Sequence, residues 1–511
     1  MTARRRLLWI GVAVFVALVS AAGVIVYQWQ IPHVRERLVQ ILSDRLDSDV
    51  DLADLDVTLG WTVHVTGERL VLHHKRHTDL PPLVRIDRFA IDVPMTSILH
   101  TPIHVSSVEL TGLEIHIPPK GDRDAPGTDL QSKLGGPSPV VVDELTTEGA
   151  LLDIASSKPG REPKRFELHH LRLTDAAFDR PTNYQTELTN PIPKGTIVAR
   201  GTFGPWEADD PSLTPLTGVY TFAHADLGTI KGIGGTLESE GHFSGRLAQI
   251  NVQGSTRTPD FTLDIGGTPL PLTTDFSAIV DGTNGDTLLT MVHAVLGQSK
   301  LTTKGGIVHV EGQKGRTVQL DATIAGGHLE DVLHLATDDD PPAMSGALNL
   351  KTRIDLPPGE ADVPIRLRLD GSFDVASARF SSDKVQRKID ELSRRGRGKP
   401  EDAGVRNVAS NLKGQFRLGG GLLRLSKVSF AVRGATIRLG GTYSLPRQTL
   451  NFAGTARMDA KASQMVTGWK RFPLKILDPF LSKDGAGTVL PIKVTGPVKH
   501  PDFKVEVSKI F

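Results

Sequence analysis

Most of the chain alternates apolar and polar residues with a period of two. Leu113, Ile115 and Ile117, with Glu114 and His116 between them, form one such run. Successive side chains of a β-strand point to opposite faces, so the alternation predicts strands with one apolar face. Further runs follow the same rule: Leu55, Val57 and Leu59; Phe89, Ile91 and Val93; Val428, Phe430 and Val432; Ile437 and Leu439; Leu450 and Phe452; Ile492 and Val494; Phe503, Val505 and Val507.

Short turn segments separate these runs. Gly434-Ala435 and Pro446-Arg447 stand where hairpin connections are expected, and residues 118–139 are rich in Gly, Pro, Asp and Ser and are typical of a loop. Strands do not alternate with helices of 10 to 15 residues, which argues against a doubly wound nucleotide-binding fold. We therefore predict a mainly β protein, built as a long antiparallel meander with few helices.

A first helix is predicted directly before the strands. Val34, Leu38, Ile41, Leu42 and Leu46 recur at the spacing of an amphipathic helix. The opposite side of this helix is predominantly charged.

A second helix is predicted between Ser382 and Arg395. Val385, Ile389 and Leu392 lie at helical spacing there, and the basic, glycine-containing run 394–399 follows them. We expect this helix to end in a mobile basic loop.

The N-terminal segment predicts a membrane anchor. No charge occurs from Leu7 to Tyr27, a length that spans about 30 Å as a helix, and Arg4, Arg5 and Arg6 precede it. Cytoplasmic loops are enriched in Lys and Arg, so the arginines are expected in the cytoplasm. The bulk of the chain is then expected on the opposite side of the membrane. The residues expected to hold the anchor in the bilayer are Leu7, Trp9, Phe15, Tyr27 and Trp29.

A cleaved signal peptide is the alternative for this segment. Leu7 to Val19 could form its apolar core, and Ser20, Ala21 and Ala22 are small enough for a cleavage site. The apolar run continues past these small residues, which favours an uncleaved anchor. No second span is expected.

Composition narrows the classes of function. Lys and Arg number 59 and Asp and Glu 58, so no global positive field exists to hold nucleic acid. The chain has no Cys, which excludes disulfides, Cys-ligated metal and thiol catalysis. Hydrophobic residues make up 39% and charged residues 23%, as in a folded protein.

Candidate chemical motifs are weak. His73, His74 and His77 could bind a metal, but adjacent residues of a strand point to opposite faces, so a solvated cluster is favoured. The run 338–340 of three Asp residues is typical of a solvated loop before two prolines, and glycines 419–421 lack the Lys-Ser or Lys-Thr of a phosphate loop. We predict no catalytic residue, metal or cofactor, while an active site built from distant loops stays open.

Several stretches of the chain carry a resemblance. They are Val34–Leu59, Pro82–Ile117 and, in the C-terminal block, Lys388–Gly396, Ala460–Met465 and Gly485–Ile492. Through them the chain resembles the AsmA-like family of inner-membrane-anchored periplasmic proteins in Gram-negative bacteria. This family is related to the chorein-type bridge-like lipid transfer proteins. Residues 150–340 resemble this family only in the general character of their sequence.

The resemblance implies an elongated, curved β-sheet whose apolar groove carries phospholipid acyl chains between the inner and outer membranes. Moving an acyl chain through water costs about 0.8 kcal/mol per CH₂, and an apolar lining removes most of that cost. The implied lining consists of apolar residues at alternate positions along the strands, for example Leu113, Ile115, Phe430, Val432, Ile437, Leu439 and Phe452.

The implied organisation places the first helix at the groove mouth near the bilayer and the second near the other end. The expected segments are a cytoplasmic tail (1–6), the anchor (7–29), an AsmA-like helix and strands (30–120), middle groove repeats (121–380) and an AsmA-like C-terminal region (381–511). A partner protein in the periplasm or outer membrane is a further expectation.

Other functions stay open at this point. The apolar side chains could instead pack a dry, closed sandwich core that binds nothing. A scaffold or assembly factor for outer-membrane protein biogenesis is the alternative function, and an enzyme is the third.

Overall fold

The computed structural model is mainly β, which confirms the predicted class. It describes residues 36, 39, 40, 43, 49–73, 81–117, 140–154, 164–177, 179–207, 210–310, 315–404, 406–467, 487–497 and 502–505.

The strands are β1 (Val50–Thr58), β2 (Thr62–Leu72), β3 (Val84–Pro94), β4 (Ile103–Val105), β5 (Ser107–Ile117), β6 (Val140–Ile154), β7 (Lys164–Ala176), β8 (Thr182–Pro191), β9 (Lys194–Phe203), β10 (Pro215–Asp226), β11 (Ile233–Gly234), β12 (Thr236–Arg246), β13 (Gln249–Leu263), β14 (Leu270–Asp281), β15 (Asp286–Leu296), β16 (Ser299–His309), β17 (Arg316–His328), β18 (Met344–Leu356), β19 (Arg368–Phe380), β20 (Ser410–Gly419), β21 (Leu422–Val432), β22 (Ala435–Ser444), β23 (Thr449–Met458), β24 (Thr488–Pro497) and β25 (Asp502–Val505). The bounded α-helices are α1 (Leu329–Ala336), α2 (Val363–Arg366) and α3 (Asp383–Gly396), and short 3₁₀ turns lie at Ser97–Leu99, Pro211–Leu213, Leu227–Thr229 and Ala462–Gln464.

The chain divides into two compact units. Unit 1 comprises the chain up to Thr229 together with Leu237–Ser255 and Ala278–Asp286. Unit 2 comprises Ile230–Thr236, Thr256–Ser277 and the chain from Thr287 onward.

The strands of unit 1 pair mostly with their neighbours in sequence. Antiparallel pairs join β1–β2, β2–β3, β3–β5 and each step from β6 to β10. However, β6 lies parallel to both β4 and β5, so the prediction of a purely antiparallel meander is wrong here. Parallel neighbours need a connection of about a dozen residues or more, and the segment 118–139 between β5 and β6 has that length.

Unit 1 has a fully buried core on one face of β1–β6. In register, Leu52 faces Leu70, Leu70 faces Ile86, and Ile86 faces Leu113, so each strand adds an apolar side chain to the same face. Ile86 is 0% and Leu113 8% exposed. Gly67 allows the ring of Phe89 to pack closely against the backbone in this core, because a Cβ at position 67 would lie 2.3 Å from that ring.

Only part of the predicted first helix can be compared with the structure. Glu36, Val39, Gln40 and Ser43 are described, and all four are helical. Val39 packs against the core cluster of unit 1. The five stripe residues of this helix lie outside the described residues.

The predicted anchor, residues 7–29, also lies outside the described part of the chain, as does the predicted loop 118–139. Among the residues that are described, no helix combines the length and the apolar character that crossing a membrane requires.

In unit 2, every step from β15 to β25 is an antiparallel pair of strands adjacent in sequence. This part of the meander prediction is confirmed. Helix α1 packs Leu329 and Val332 against a cluster around Leu348 and Val375. Helix α3 packs Ile389 and Leu392 against a second cluster that includes Val432 and Met458.

Helix α3 agrees with the second predicted helix, but its environment differs from the expectation. Val385, at one end of the predicted apolar stripe, is 38% exposed, whereas Gln386, Asp390 and Ser393 are buried. The basic run is not simply a loop after the helix, since the helix continues to Gly396. Hydrogen bonds explain the buried polar face, because these three side chains satisfy backbone groups of adjoining segments.

Asp390 is the centre of these contacts. Its Oδ1 accepts hydrogen bonds from Gln386 Nε2 (3.0 Å) and Val408 N (2.9 Å), and its Oδ2 accepts one from Asn407 N (3.1 Å). Ser393 Oγ donates to the Arg433 carbonyl (2.7 Å). Both carboxylate oxygens of Asp390 are therefore used as acceptors.

We expect Asp390→Asn to destabilise unit 2 by about 1–3 kcal/mol, because an amide supplies one acceptor and turns its NH₂ toward a buried N–H donor. Glu391→Gln is the matched control, since Glu391 forms an exposed pair with Arg395 (2.7 Å) worth about 0–1 kcal/mol. Urea denaturation followed by circular dichroism measures both. Equal effects of the two changes would contradict the anchoring role of Asp390.

A second stability prediction concerns Gly371. A Cβ there would lie 2.3 Å from the Lys351 carbonyl oxygen and 2.7 Å from Cζ of Phe416. Gly371→Ala should lower the free energy of unfolding by about 1–3 kcal/mol, as overpacking does. Gly419→Ala is the control, because no atom lies within 4 Å of its Cβ position. Denaturation curves that shift equally for both variants would refute the steric explanation.

Candidate functional site

The antiparallel register of unit 2 collects apolar side chains in rows on one face. Directly paired residues of neighbouring strands point the same way, so each row can be followed from β18 to β23. Row A is Leu348, Val375, Leu412, Phe430, Ile437 and Ala456; row B is Thr352, Gly371, Phe416, Leu425, Gly441 and Phe452; row C is Ile354, Leu369, Leu418, Leu423, Tyr443 and Leu450. We call these rows together the apolar face of unit 2.

The three rows differ in what covers them. Row A residues take part in the two clusters that also contain α1 and α3. No residue of row B or row C belongs to either cluster, as far as the described residues extend. Phe416, Leu425 and Phe452 are nevertheless half-buried, and Leu418 is only 6% exposed. Rows B and C thus form apolar surface beyond the helices.

Glycines flatten this face. The ring of Phe416 extends over Gly371, and the ring of Phe373 lies 3.0 Å from the Cβ position of Gly414. The Phe373 and Phe416 ring centroids are 6.3 Å apart. Glycine in a strand marks close approach of another group, and here that group is an aromatic ring lying along the sheet. The surface is consequently largely apolar, and the hydroxyl groups of Thr352 and Tyr443 are its polar exceptions.

The opposite side of the same strands is charged. Asp321, Arg353, Asp370 and Arg417 follow one another in register across β17–β20. Arg353 pairs with Asp321 (3.2 Å), and Arg417 pairs with Asp370 (2.7 Å). We call this side the charged face of unit 2. One sheet therefore carries two surfaces of opposite chemistry.

Five of the seven predicted lining residues lie on the same side of the unit 2 strands as rows A, B and C. They are Phe430, Val432, Ile437, Leu439 and Phe452. Phe430 and Ile437 belong to row A and Phe452 to row B, whereas Val432 and Leu439 lie outside the three rows. The structure does not bring Leu113 and Ile115 together with them. Those two residues lie in unit 1, where Leu113 is a member of the buried core and Ile115 packs against it.

Sequence reasoning missed most of rows B and C. Phe416, Leu418, Leu423, Leu425 and Leu450 all belong to rows B and C. The same period-two alternation was available around Leu412, Phe416 and Leu418, and would have predicted β20 as a lining strand.

Unit 1 has a comparable half-buried face on β7–β10. One row there consists of Leu168, Leu188, Ile197 and Phe222. Beside it, Tyr184 directs its hydroxyl to donate to the Thr217 carbonyl (3.3 Å). Burial raises the pKa of Tyr184 to about 12, and it also raises the pKa of Tyr220.

Other candidate chemistry from the sequence does not converge on these faces. His73 Nε2 lies 2.8 Å from Asp51, while His74 and His77 are outside the described residues. Asp338 accepts a hydrogen bond from Gly267 N (2.7 Å). Across the described ranges, no three His, Cys, Asp or Glu side chains are grouped so that they could hold a metal ion.

Comparisons with protein-family models, curated proteins and solved structures find no match to this chain. The resemblance to the AsmA-like family therefore rests on the sequence stretches that carry it.

The burial of Tyr184 predicts a pH-dependent stability. Its folded-state pKa of about 12 exceeds the ordinary value of 10.0, so the folded state holds the proton more tightly. The resulting stabilisation is complete below about pH 10 and is lost as the pH rises through about 12. In an absorbance titration at 295 nm, Tyr184→Phe should remove a component near pH 12. Loss of a component near pH 10 instead would contradict the burial argument.

Proposed function

We propose that this chain is a non-enzymatic lipid-handling protein of the AsmA-like kind, which holds phospholipid acyl chains on its apolar sheet surface and carries them between the inner and outer membranes. The observation that carries the proposal is the contrast between rows B and C and the charged face on the same strands of unit 2. An acyl chain needs such a surface, because it offers apolar contact and makes no hydrogen bonds.

Energetics support an acyl chain as the occupant. Each CH₂ removed from water contributes about 0.8 kcal/mol, and half-buried side chains such as Phe416, Leu425 and Phe452 still have surface to bury. The same side chains would gain from being covered. Rings placed over glycines leave an extended surface on which a long flexible chain can take many positions, which suits transport better than a pocket of fixed shape.

The buried core of unit 1 supports a different role for Leu113 and Ile115. Ile86 at 0% and Leu113 at 8% exposure already pack against protein side chains. A ligand would have to displace these contacts, so we assign acyl chains to rows B and C and to the half-buried face of β7–β10.

The sequence of the N-terminal segment supports placement at a membrane. Its uncharged stretch from Leu7 to Tyr27 follows three arginines, and the proposal takes it as a single inner-membrane anchor with the bulk of the chain in the periplasm. The scaffold role in outer-membrane protein biogenesis predicts instead a folded chain that carries no lipid.

We expect Phe452→Asp and Leu425→Asp each to reduce co-purified phospholipid several-fold, because a carboxylate on an apolar surface must be desolvated when an acyl chain covers it. Asn451→Asp is the matched control, since Asn451 neighbours Phe452 on the opposite face and is exposed. Phospholipid per full-length chain is measured by lipid extraction and mass spectrometry, with circular dichroism to monitor folding.

A labelling experiment gives an independent readout. The chain has no Cys, so Leu425→Cys and Asn451→Cys each introduce a single thiol. Bound lipid should slow maleimide labelling at position 425 and leave position 451 unchanged. Folded protein that carries no phospholipid, or equal labelling with and without lipid, would overturn the lipid-handling proposal and favour the scaffold role.

A further inference from the structure

A second surface of unit 2 carries a concentration of arginines. On the charged face, at the end of β18–β21, a cleft of about 470 Å³ opens above the β20–β21 turn. Its charged lining consists of Arg353, Arg368, Arg417, Arg424, Asp355 and Asp370. The strand register sets these residues side by side in two neighbouring rows, because Arg353 faces Asp370, Asp370 faces Arg417, and Asp355 faces Arg368.

Three of the four arginines are engaged in exposed ion pairs. Arg353 pairs with Asp321 (3.2 Å), and Arg368 pairs with Asp355 (3.4 Å). Arg417 donates from both Nε (2.9 Å) and Nη2 (2.7 Å) to a single oxygen of Asp370. Each of these pairs leaves guanidinium donors unused, since a guanidinium has five N–H groups.

Arg424 is the exception. It has no ion-pair partner among the described residues, and it lies directly opposite Arg417 in the β20–β21 ladder. Like charges placed directly opposite each other on neighbouring strands are destabilising. An anion that contacts both guanidinium groups would offset the repulsion between them.

The floor of the cleft leaves room for such an anion. Gly419 and Gly420 line it, and at each of them the space where a Cβ would stand has no atom within 4 Å. Gly420 and Gly421 form the two-residue turn with φ of +60° and +70°, as a type I′ hairpin requires. A ligand can therefore approach the backbone at these two glycines, while Leu369, Leu418 and Leu422 supply the apolar part of the lining.

We propose that this cleft is a binding site for phosphate-bearing anions, with Arg417 and Arg424 as the principal contacts and Arg353 and Arg368 at its margin. Planar guanidinium groups match the oxygens of phosphate in bidentate geometry, which a lysine cannot reproduce. The volume is within the range of small-molecule sites. The phosphate can belong to a lipid headgroup or to a soluble compound. Its arginines lie on the charged face, while Leu369 and Leu418 of row C border the cleft.

The test uses the full-length chain in detergent and titrates pyrophosphate by calorimetry. In the second arm, the protein is mixed with vesicles of phosphatidylcholine, either with or without phosphatidic acid, and is not reconstituted into them. Binding is measured as protein that co-sediments with the vesicles. Binding to pyrophosphate identifies a soluble ligand, whereas binding only to vesicles with phosphatidic acid identifies a headgroup. Both outcomes support the site, and no binding in either arm overturns it.

Variants separate this site from general positive charge. Replacing both Arg417 and Arg424 by Ala should weaken binding at least tenfold. Arg438→Ala removes an exposed arginine from the charged face outside the cleft and should leave affinity within twofold. Asp370→Asn frees Arg417 from its competing partner and should tighten binding, a gain that misfolding cannot imitate. Equal weakening by Arg438→Ala, or weaker binding by Asp370→Asn, would overturn the proposal.

Discussion

The hydrogen-bonded register of antiparallel strands is the constraint from which the other features follow. Once residues of neighbouring strands are paired, their side chains must share a face, and the next residue along each strand must lie on the other. In unit 2 this rule places Phe416, Leu425 and Phe452 in one row and Arg417 and Arg424 in the row behind it. The apolar and the charged surfaces are thus two sides of a single pattern, and a change of register would exchange them.

β-Bulges keep that pattern consistent where the sequence changes parity. In β21, Leu423 and Leu425 have odd numbers, while Val428 and Phe430 have even ones, so simple alternation would send the two pairs to opposite faces. The register shifts between Leu425 and Val428, and Lys427 there has a φ of +51°. One extra residue in the strand returns both pairs to the apolar face.

These bulges are among the features that could not be predicted from the sequence. Local alternation identified the strands and the face of Phe430, Ile437 and Phe452, because period two is a property of a few adjacent residues. Bulges depend on pairing with a distant strand, and the parallel β5–β6 pair depends on a crossover, so neither has a local signal. Helix α3 shows the same limit, since the burial of Asp390 is explained by backbone donors of the segment near Val408, which helical spacing cannot reveal.

The neighbour-to-neighbour order of unit 2 has a consequence for how the chain acquires its structure. From β15 to β25 each strand requires only the strand before it, so assembly can proceed by successive hairpins whose loop-closure cost stays small. A chain whose N-terminal part is free to fold first can add these strands one after another, in sequence order. The open end of the growing sheet is then a transient template for the next strand, and the speed of delivery limits how long that edge stays exposed to other chains.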